Sequence, residues 1–146
     1  MADSGATDAA LVAALAADQT LAGLMPDGVW LDEAPPGLSR YVLVSLVESA
    51  DVPQFRGRAF ESALYLVKAV ERSTSGGGAR AAAARIDAVL EGGTLQLDGS
   101  PASGYALVEL AREGRIPALV EVDEADPGIR WQHRGGLYRV VVTAIM

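Results

Sequence analysis

The sequence predicts an α+β fold: one small domain in which a mixed, mostly antiparallel β-sheet carries one main helix packed across it and a further N-terminal helix. Three observations support this prediction. The 146 residues suffice for one typical domain. Runs of β-branched residues with strand propensity recur along the chain. Residues 79–91 carry an apolar stripe at helical spacing.

The N-terminal part of the chain predicts a helix. Either Thr7 or Asp8 can cap a helix that runs to about Asp18, because both side chains accept hydrogen bonds from free amides of a first helical turn. Leu11 and Leu15, four residues apart, would form its apolar face. The alanines at the remaining positions favour helix and allow close packing.

Short elements are expected between this helix and the first long strand. Residues 20–24 can form another helical turn, and the Pro-Asp-Gly sequence at 26–28 breaks the chain. Residues 29–31 form a brief extended piece. The two successive prolines within residues 34–37 force a loop, because they lack backbone donors and restrict the residue before each.

Two long strands are predicted next. Residues 40–48 are apolar on both strand faces, which favours a central strand over an edge strand. Residues 51–57 form a polar connection, and residues 58–72 alternate as a second strand, so the two strands suggest a hairpin. A helix is the alternative for residues 58–72, because Ala and Glu are frequent there.

The clearest helix of the sequence lies at residues 79–91. Apolar side chains including Ala82, Ile86 and Leu90 form one stripe, and Gly92 stands at the C-terminal end. We expect this helix to lie across the sheet. The sequence beyond it contains further strand-like runs at residues 94–97, 105–110 and 118–122.

The final run, residues 136–146, is typical of an apolar β-strand opened by two glycines. We expect residues 131–136 before it to form a turn between two strands. A strand of this length must be covered, because an exposed edge would template aggregation. Either the domain's own sheet takes it in or a neighbouring subunit does, and the strand therefore indicates contact between copies of the chain.

Composition excludes several classes of function. With no cysteine and one histidine, the chain lacks the usual ligands of structural zinc, and disulfides and thiol redox chemistry are impossible. The formal net charge of −7 argues against a duplex-DNA binder, because such affinity rests on Lys and Arg that displace counterions from phosphates. A surface past which DNA merely slides can be acidic. No stretch approaches the roughly 20 uncharged apolar residues of a membrane helix, and the N-terminus lacks the basic start of a secretion signal, so we expect a soluble, unsecreted protein.

Three segments suggest chemistry, and each has a simpler structural explanation. The Gly-rich link at residues 75–78 could bind phosphate at a helix N-terminus, but it lacks the lysine of a phosphate-binding loop. The carboxylates within residues 121–126 suggest a cation site, although their order fits a solvated turn better. His133 is the one candidate general base near neutral pH, yet no nucleophile-elbow motif accompanies it. We therefore predict no catalytic, cofactor-binding or metal-binding residues.

Arginine greatly outnumbers lysine, of which Lys68 is the single example. The planar donor fork of arginine suits carboxylates across an interface, so this composition favours self-association. A coding bias toward Arg and Ala explains the composition equally well.

Several segments, taken in order, carry a resemblance to a known family. They are the Ala- and Leu-rich first helix, residues 29–36 leading into Tyr41-Val42-Leu43-Val44-Ser45, the strand at 58–72, the helix at 79–91, and residues 131–146, in which His133-Arg134-Gly135-Gly136-Leu137-Tyr138-Arg139-Val140 is closest in character. In this order they resemble the tail-terminator, or tail-completion, proteins of long-tailed bacteriophages and related phage-like particles. The resemblance spans nearly the whole chain, so residues 1–146 would form a single tail-terminator-like domain.

The resemblance implies a structural virion protein at the head–tail junction. Proteins of this family assemble as a homohexameric ring in the neck that ends the tail tube and joins it to the head connector, and DNA passes through the lumen without specific binding. They carry no enzyme activity or cofactor and do not involve a membrane. The implied partners are other copies of the chain, the tail tube protein and the head–tail connector proteins. The implied location is the virion, and the host cytoplasm during assembly.

Contacts between copies or with partners are expected at strand edges and at the loops of residues 50–58 and 73–78. The residues that we single out for these contacts are Gln54, Phe55, Arg56, Arg58, Arg72 and Arg134. Two alternatives stay open. One is another neck component, such as a connector or stopper ring, and the other is a small enzyme or ligand-binding α+β domain that uses His133 and the acidic turn.

Overall fold

Six strands and three helices occur in the part of the chain that the computed structural model describes, residues 4–53, 59–91 and 105–144. The helices are α1 (Ser4–Ala16), α2 (Gln19–Leu24) and α3 (Gly77–Leu90). The strands are β1 (Val29–Leu31), β2 (Arg40–Pro53), β3 (Ala59–Arg72), β4 (Tyr105–Arg115), β5 (Leu119–Val122) and β6 (Arg130–Ala144). The fold is the predicted α+β architecture, a mixed sheet with one main helix, α3, packed against it.

The strands form one sheet in the order β1-β2-β3-β6-β4, and β5 also pairs with β6. The β1–β2 pair is parallel, and the other pairs are antiparallel. Because β3 covers one side of β6 along nearly its whole length, β4 and β5 lie end to end along the other side. The sheet therefore has two outer edges, one formed by β1 with the part of β2 beyond it, and the other by β4 with β5.

The final strand of the sequence, β6, lies inside the sheet between β3 and the β4–β5 pair. The domain's own sheet covers it, so β6 does not itself present an edge to a neighbouring copy. The expected turn at residues 131–136 is wrong, because these residues belong to β6. Gly135 permits this path: a Cβ there would lie 2.6 Å from the Cα of Lys68 on β3, which is too close for any larger residue.

The three helices cover one face of the sheet and enclose the hydrophobic core. The fully buried side chains of this core include Leu11, Leu15, Leu21, Val42, Val44, Tyr65, Val67, Ile86, Leu90 and Tyr138. Small residues such as Ala79 and Ala82 face the sheet from α3 and let the helix approach it closely. The Tyr138 hydroxyl donates to Asp87 at 3.0 Å and so ties α3 to β6.

The structure decides several expectations about individual elements. Residues 58–72 form a strand, β3, and the helix that was their alternative is wrong. The helix expected at 79–91 is confirmed as α3. The first helix begins at Ser4, before the expected cap at Thr7 or Asp8. The strand-like run at 94–97 lies outside the described residues. No helix in the described ranges has the length and apolar character needed to cross a membrane.

The central position expected for residues 40–48 is correct for only part of that segment. β1 pairs with β2 from Val42 to Val44, so these residues have a strand on each side; Val42 and Val44 are buried and Leu43 is half-buried. Beyond them β2 pairs only with β3 among the described residues, which leave its other side uncovered. Leu46 and Val47 are exposed for this reason.

Candidate assembly surfaces

The exposed large apolar side chains of the described residues lie at the two outer edges of the sheet. At one edge, which we call the β1 edge, they are Trp30 and Leu31 of β1 and Leu46 and Val47 of β2. At the other, which we call the β4–β5 edge, they are Val108 of β4 and Leu119, Val120 and Val122 of β5. Apolar side chains gathered along open strand edges, rather than scattered over the surface, are typical of surfaces that an assembly covers.

The β1 edge is built from a very short strand and a bulge. β1 pairs with β2 over three residues only. The pairing of β2 with β3 then shifts between Leu46 and Glu48, which leaves Val47 as an additional residue whose side chain is 54% exposed. Trp30 is fixed at this edge, because its indole nitrogen donates to the carbonyl oxygen of Asp27 at 2.7 Å. The edge thus presents apolar side chains in defined positions.

The β4–β5 edge also contains bulges. Pairing of β4 with β6 shifts between Leu107 and Glu109, which leaves Val108 as an extra residue with a 52% exposed side chain. All four residues of β5 are exposed. Pro117 lies between β4 and β5. Proline has no backbone N–H to donate, and a sheet tolerates it at an edge of this kind.

Arg139 of β6 links the two edges across the sheet face that faces away from the helices. Its guanidinium donates to Glu113 at 2.9 Å and to Glu48 at 3.0 Å, and it also donates to the Ser62 hydroxyl at 3.1 Å. Glu48 follows the bulge of β2, and Glu113 is the extra residue where the β4–β6 register shifts between Arg112 and Gly114. The hydrogen bond from Arg139 lowers the pKa of Glu113. One side chain therefore connects β2, β3, β4 and β6 and holds the two bulged edges in a fixed relation.

Of the residues singled out for contacts, the structure describes Arg72 and Arg134, and neither lies at these edges. Gln54, Phe55, Arg56 and Arg58 fall outside the described residues. Arg72 is exposed at the end of β3, and Arg134 is half-buried within β6. The register places these two arginines three rows apart, and therefore on opposite faces of the sheet. Their role in contacts stays a prediction.

Sequence reasoning missed the edge residues themselves. Residues 29–31 and 118–122 were recognised as extended, but nothing in their composition separates an exposed short strand from a buried one. Pro117 beside β5 was the one local signal for an edge, since proline within a sheet is confined to edges, strand starts and bulges.

The Gly-rich link before α3 receives a carboxylate of the chain itself. Glu71 is 2% exposed, and its carboxylate lies against Gly78 in the first turn of α3, where a Cβ would stand 2.8 Å from Cδ of Glu71. Arg40 contributes its Nε at 3.6 Å from the same carboxylate. A helix N-terminus attracts negative charge, and here Glu71 supplies it. The structure thus explains Gly78 without an external phosphate.

The acidic segment at 121–126 is organised as a turn. Asp123 accepts hydrogen bonds from the amides of Ala125 at 2.8 Å and Asp126 at 3.2 Å, and from the indole of Trp131 at 3.2 Å. These hydrogen bonds, the one from Trp131 foremost, lower the pKa of Asp123. Among the described residues no group of three or more His, Cys, Asp or Glu side chains is placed to hold a metal ion. The arrangement fits the predicted solvated turn.

His133 is 8% exposed within β6. Neither ring nitrogen has a hydrogen-bond partner among the described residues, and Glu121 is 3.9 Å from Nε2. Burial, together with the charge of Lys68, lowers the pKa of His133, although Glu121 opposes this shift. The imidazole is therefore largely neutral at neutral pH. Its side chain is packed within the sheet.

Four arginines form ion pairs within the described part of the chain, and Arg40 with Glu71 is one of these pairs. Arg85 on α3 donates from two nitrogens to Asp18, at 2.8 and 2.6 Å, and this pairing lowers the pKa of Asp18 to about 2. Arg112 pairs with Asp87 at 2.9 Å, and Arg139 is bound as described above. Part of the arginine excess therefore stabilises the fold rather than contacts between copies.

Comparison with known proteins gives a similarity to a solved structure. No protein-family model matches the chain, and no curated protein matches it. Among solved structures, the chain is similar to a chain of a structure described as the virion of a native gene transfer agent particle, with 28% sequence identity and a TM-score of 0.68. The similarity covers 97% of each chain. It supports a phage-like structural virion protein and suggests a protein without enzyme activity.

Proposed function

We propose that residues 1–146 form a single tail-terminator-like domain that acts at the head–tail junction of a phage-like particle. In this proposal, copies of the chain close into a hexameric ring that ends the tail tube and joins it to the head connector. DNA passes through the lumen of the ring without specific binding. The partners are the tail tube protein and the connector proteins of the neck.

The observation that carries this proposal is the placement of two different apolar edges on opposite sides of one sheet. The β1 edge and the β4–β5 edge share no residue, so a contact between them joins unlike surfaces of two copies. Contacts of this head-to-tail kind generate a closed ring when the rotation between copies suits, and an open filament when it does not. Burial of the exposed apolar side chains would stabilise each contact.

The similarity to the gene transfer agent virion chain supports the same proposal. It extends over 97% of both chains, so the comparison concerns the whole domain and not one motif. The particle named in that structure is a virion, and a ring at the junction of head and tail is a structural position within such a particle.

The charge of the chain suits passage of DNA. The 19 acidic residues exceed the 12 Lys and Arg residues, which gives a net charge of −7. A ring made of such chains repels phosphates over most of its surface, so DNA can move through the lumen without the counterion release that drives adhesion.

Imaging of intact particles tests the proposal. A tag on the chain should appear between head and tail, at a mass of about 90 kDa per particle for a hexamer of 15.1 kDa chains. Deletion of the gene should give separate heads and tails. Absence of the chain from purified particles would overturn the proposal, whereas a position in another neck layer would assign the chain to a connector or stopper ring.

A matched pair of variants tests the role of the edges. Val120→Asp places a charge on the β4–β5 edge and should prevent incorporation into particles, because a buried unpaired carboxylate is costly. Ala84→Asp changes an exposed position on α3 and should leave incorporation unchanged. Circular dichroism of both purified variants should confirm that each is folded. Normal incorporation of Val120→Asp would contradict the assignment of this edge.

A further inference from the structure

β1 and the last residue of β4, Arg115, stand at the same height of the sheet. Pairing between neighbouring strands defines rows of residues that run across the sheet. One such row contains Leu31 of β1, Val44 of β2, Val67 of β3, Gly136 of β6 and Arg115 of β4. The row begins at the β1 edge and ends just before β5. A second copy placed beside the first without an offset would therefore bring the Arg115–β5 segment next to β1.

The strand directions at the two edges also match. β2 and β6 run in the same direction, because each is antiparallel to β3. β1 is parallel to β2, whereas β4 and β5 are antiparallel to β6. β1 therefore runs opposite to β4 and β5. A neighbour in the same orientation would therefore add an antiparallel strand to the β1 edge.

The charges beside this row are of opposite sign. Asp32 and Glu33 follow β1 directly and are exposed, and neither forms a salt bridge within the described residues. Arg115 at the other edge is exposed and likewise forms no salt bridge in the described part of the chain. Contact between two β1 edges would bring acidic groups together, and contact between two β4–β5 edges would bring Arg115 towards another Arg115. Contact between unlike edges pairs acid with base.

We propose that, within the ring proposed above and resting on that function, the β4–β5 edge of one copy pairs antiparallel with β1 of the next copy. The sheet then continues from subunit to subunit. Arg115 faces Asp32 and Glu33 of the neighbour, and Leu31 of the neighbour lies in the same row as Arg115. The occupant of each edge is a second copy of this chain.

Charge reversal in two separate variants tests this pairing. Arg115→Glu alone and Glu33→Lys alone should each weaken association about tenfold, because one charge at every contact is then repelled. Production of both variants in one cell should restore incorporation into particles. In a ring that alternates the two variants, each contact has either both charges reversed or both charges native, so every contact joins opposite charges. Failure of the mixture to restore incorporation, with both variants folded, would overturn the proposal.

Cross-linking provides a second test, since the chain contains no cysteine. A variant with Glu33→Cys and Arg115→Cys, treated with a short bis-maleimide, should give a ladder of covalent oligomers that ends at the closed ring. The control variant combines Glu33→Cys with Arg80→Cys, on the exposed first turn of α3, and should give no ladder. The reaction is run on purified particles and on concentrated purified protein.

The outcomes separate this inference from the proposed function. If purified protein gives a ladder but the chain is absent from purified particles, the edge pairing is supported and the head–tail role is overturned. A chain present in particles that gives no ladder in either preparation would overturn the edge pairing and leave the head–tail role standing. A ladder of equal yield from the control variant would also overturn the pairing, because it would show contact without the specific edge.

Discussion

Replacing Gly78 by alanine tests whether the first turn of α3 is built around Glu71. A Cβ at Gly78 would lie 2.8 Å from Cδ of Glu71 and closer still to Oε2. Glu71 is 2% exposed, so its carboxylate cannot move aside into solvent without disturbing its surroundings. The substitution would force this carboxylate away from the helix N-terminus and from Arg40, whose Nε is 3.6 Å away.

The expected effect is a net loss of stability of about 2 kcal/mol. Alanine is favoured over glycine in a helix by at most about 1 kcal/mol, which opposes the loss. Forced repacking of a well-packed site costs about 1–3 kcal/mol. Separating a partly buried carboxylate from a helix N-terminus costs up to about 2 kcal/mol more. The clash therefore outweighs the gain in helix propensity.

Urea unfolding followed by circular dichroism measures this loss, with Gly77→Ala as the matched control. At Gly77 the nearest atom to a Cβ is the Ser75 hydroxyl at 3.9 Å, so that substitution should be neutral or stabilising by about 0.5–1 kcal/mol. For a chain of 146 residues, 2 kcal/mol corresponds to a Tm about 6 °C lower. In a Glu71→Ala background the cost of Gly78→Ala should shrink. Equal stability of Gly77→Ala and Gly78→Ala would refute the reasoning.

Three further predictions concern pH and packing. Asp18→Asn keeps an acceptor for the amide of α2 but removes the charge that Arg85 binds, so it should cost about 1 kcal/mol at pH 7 after solvent screening. Because the pKa of Asp18 is lowered to about 2, this contribution is present above about pH 4 and should vanish as the pH falls through 2, where urea unfolding of variant and wild type should coincide. Burial lowers the pKa of His133, so the unfolded state binds the proton more readily and stability should fall as the pH drops below about 6.5. The variant His133→Gln should lack this fall in thermal melts and should still enter particles. Loss of incorporation would speak against a purely structural histidine. Ile86→Ala should cost about 3 kcal/mol in urea unfolding, and a cost below 1 kcal/mol would show that α3 does not pack on the sheet as described.

Local patterns predicted most of the elements of the fold. The stripe that includes Ala82, Ile86 and Leu90 identified α3, because the buried positions of a helix recur within a few residues of sequence. The preceding strand and loop suggested a hairpin and so favoured a strand over a helix for residues 58–72, which form β3 although Ala and Glu occur there. The boundaries were less accurate: α1 begins at Ser4, and β6 begins at Arg130. Two adjacent glycines suggested a turn, but close strand packing at Gly135 required one of them inside β6.

The assembly surfaces could not be predicted, because exposure at a strand depends on which strand lies beside it. Val44 and Val120 are the same residue type in similar runs, yet Val44 is fully buried and Val120 is 54% exposed. Val44 belongs to the hydrophobic core and lies between β1 and β3, whereas β5 pairs only with β6 in the described chain and contributes no residue to that core. Sheet order joins segments far apart in sequence, which a local pattern does not encode.

The sheet order also explains why the two edges form a pair suited to assembly. β6 lies between β3 and the β4–β5 edge, so that edge is attached to the rest of the sheet only through β6. Arg139 of β6 then bridges Glu48 and Glu113 beside the bulges of the two edges. Both edges are thus held in fixed relative positions before a second copy binds. Association therefore requires little further ordering of the chain. In the proposed ring, the angle between successive copies would then be set by the twist of the sheet, and a fixed angle is the condition under which head-to-tail contacts close into a ring of one size.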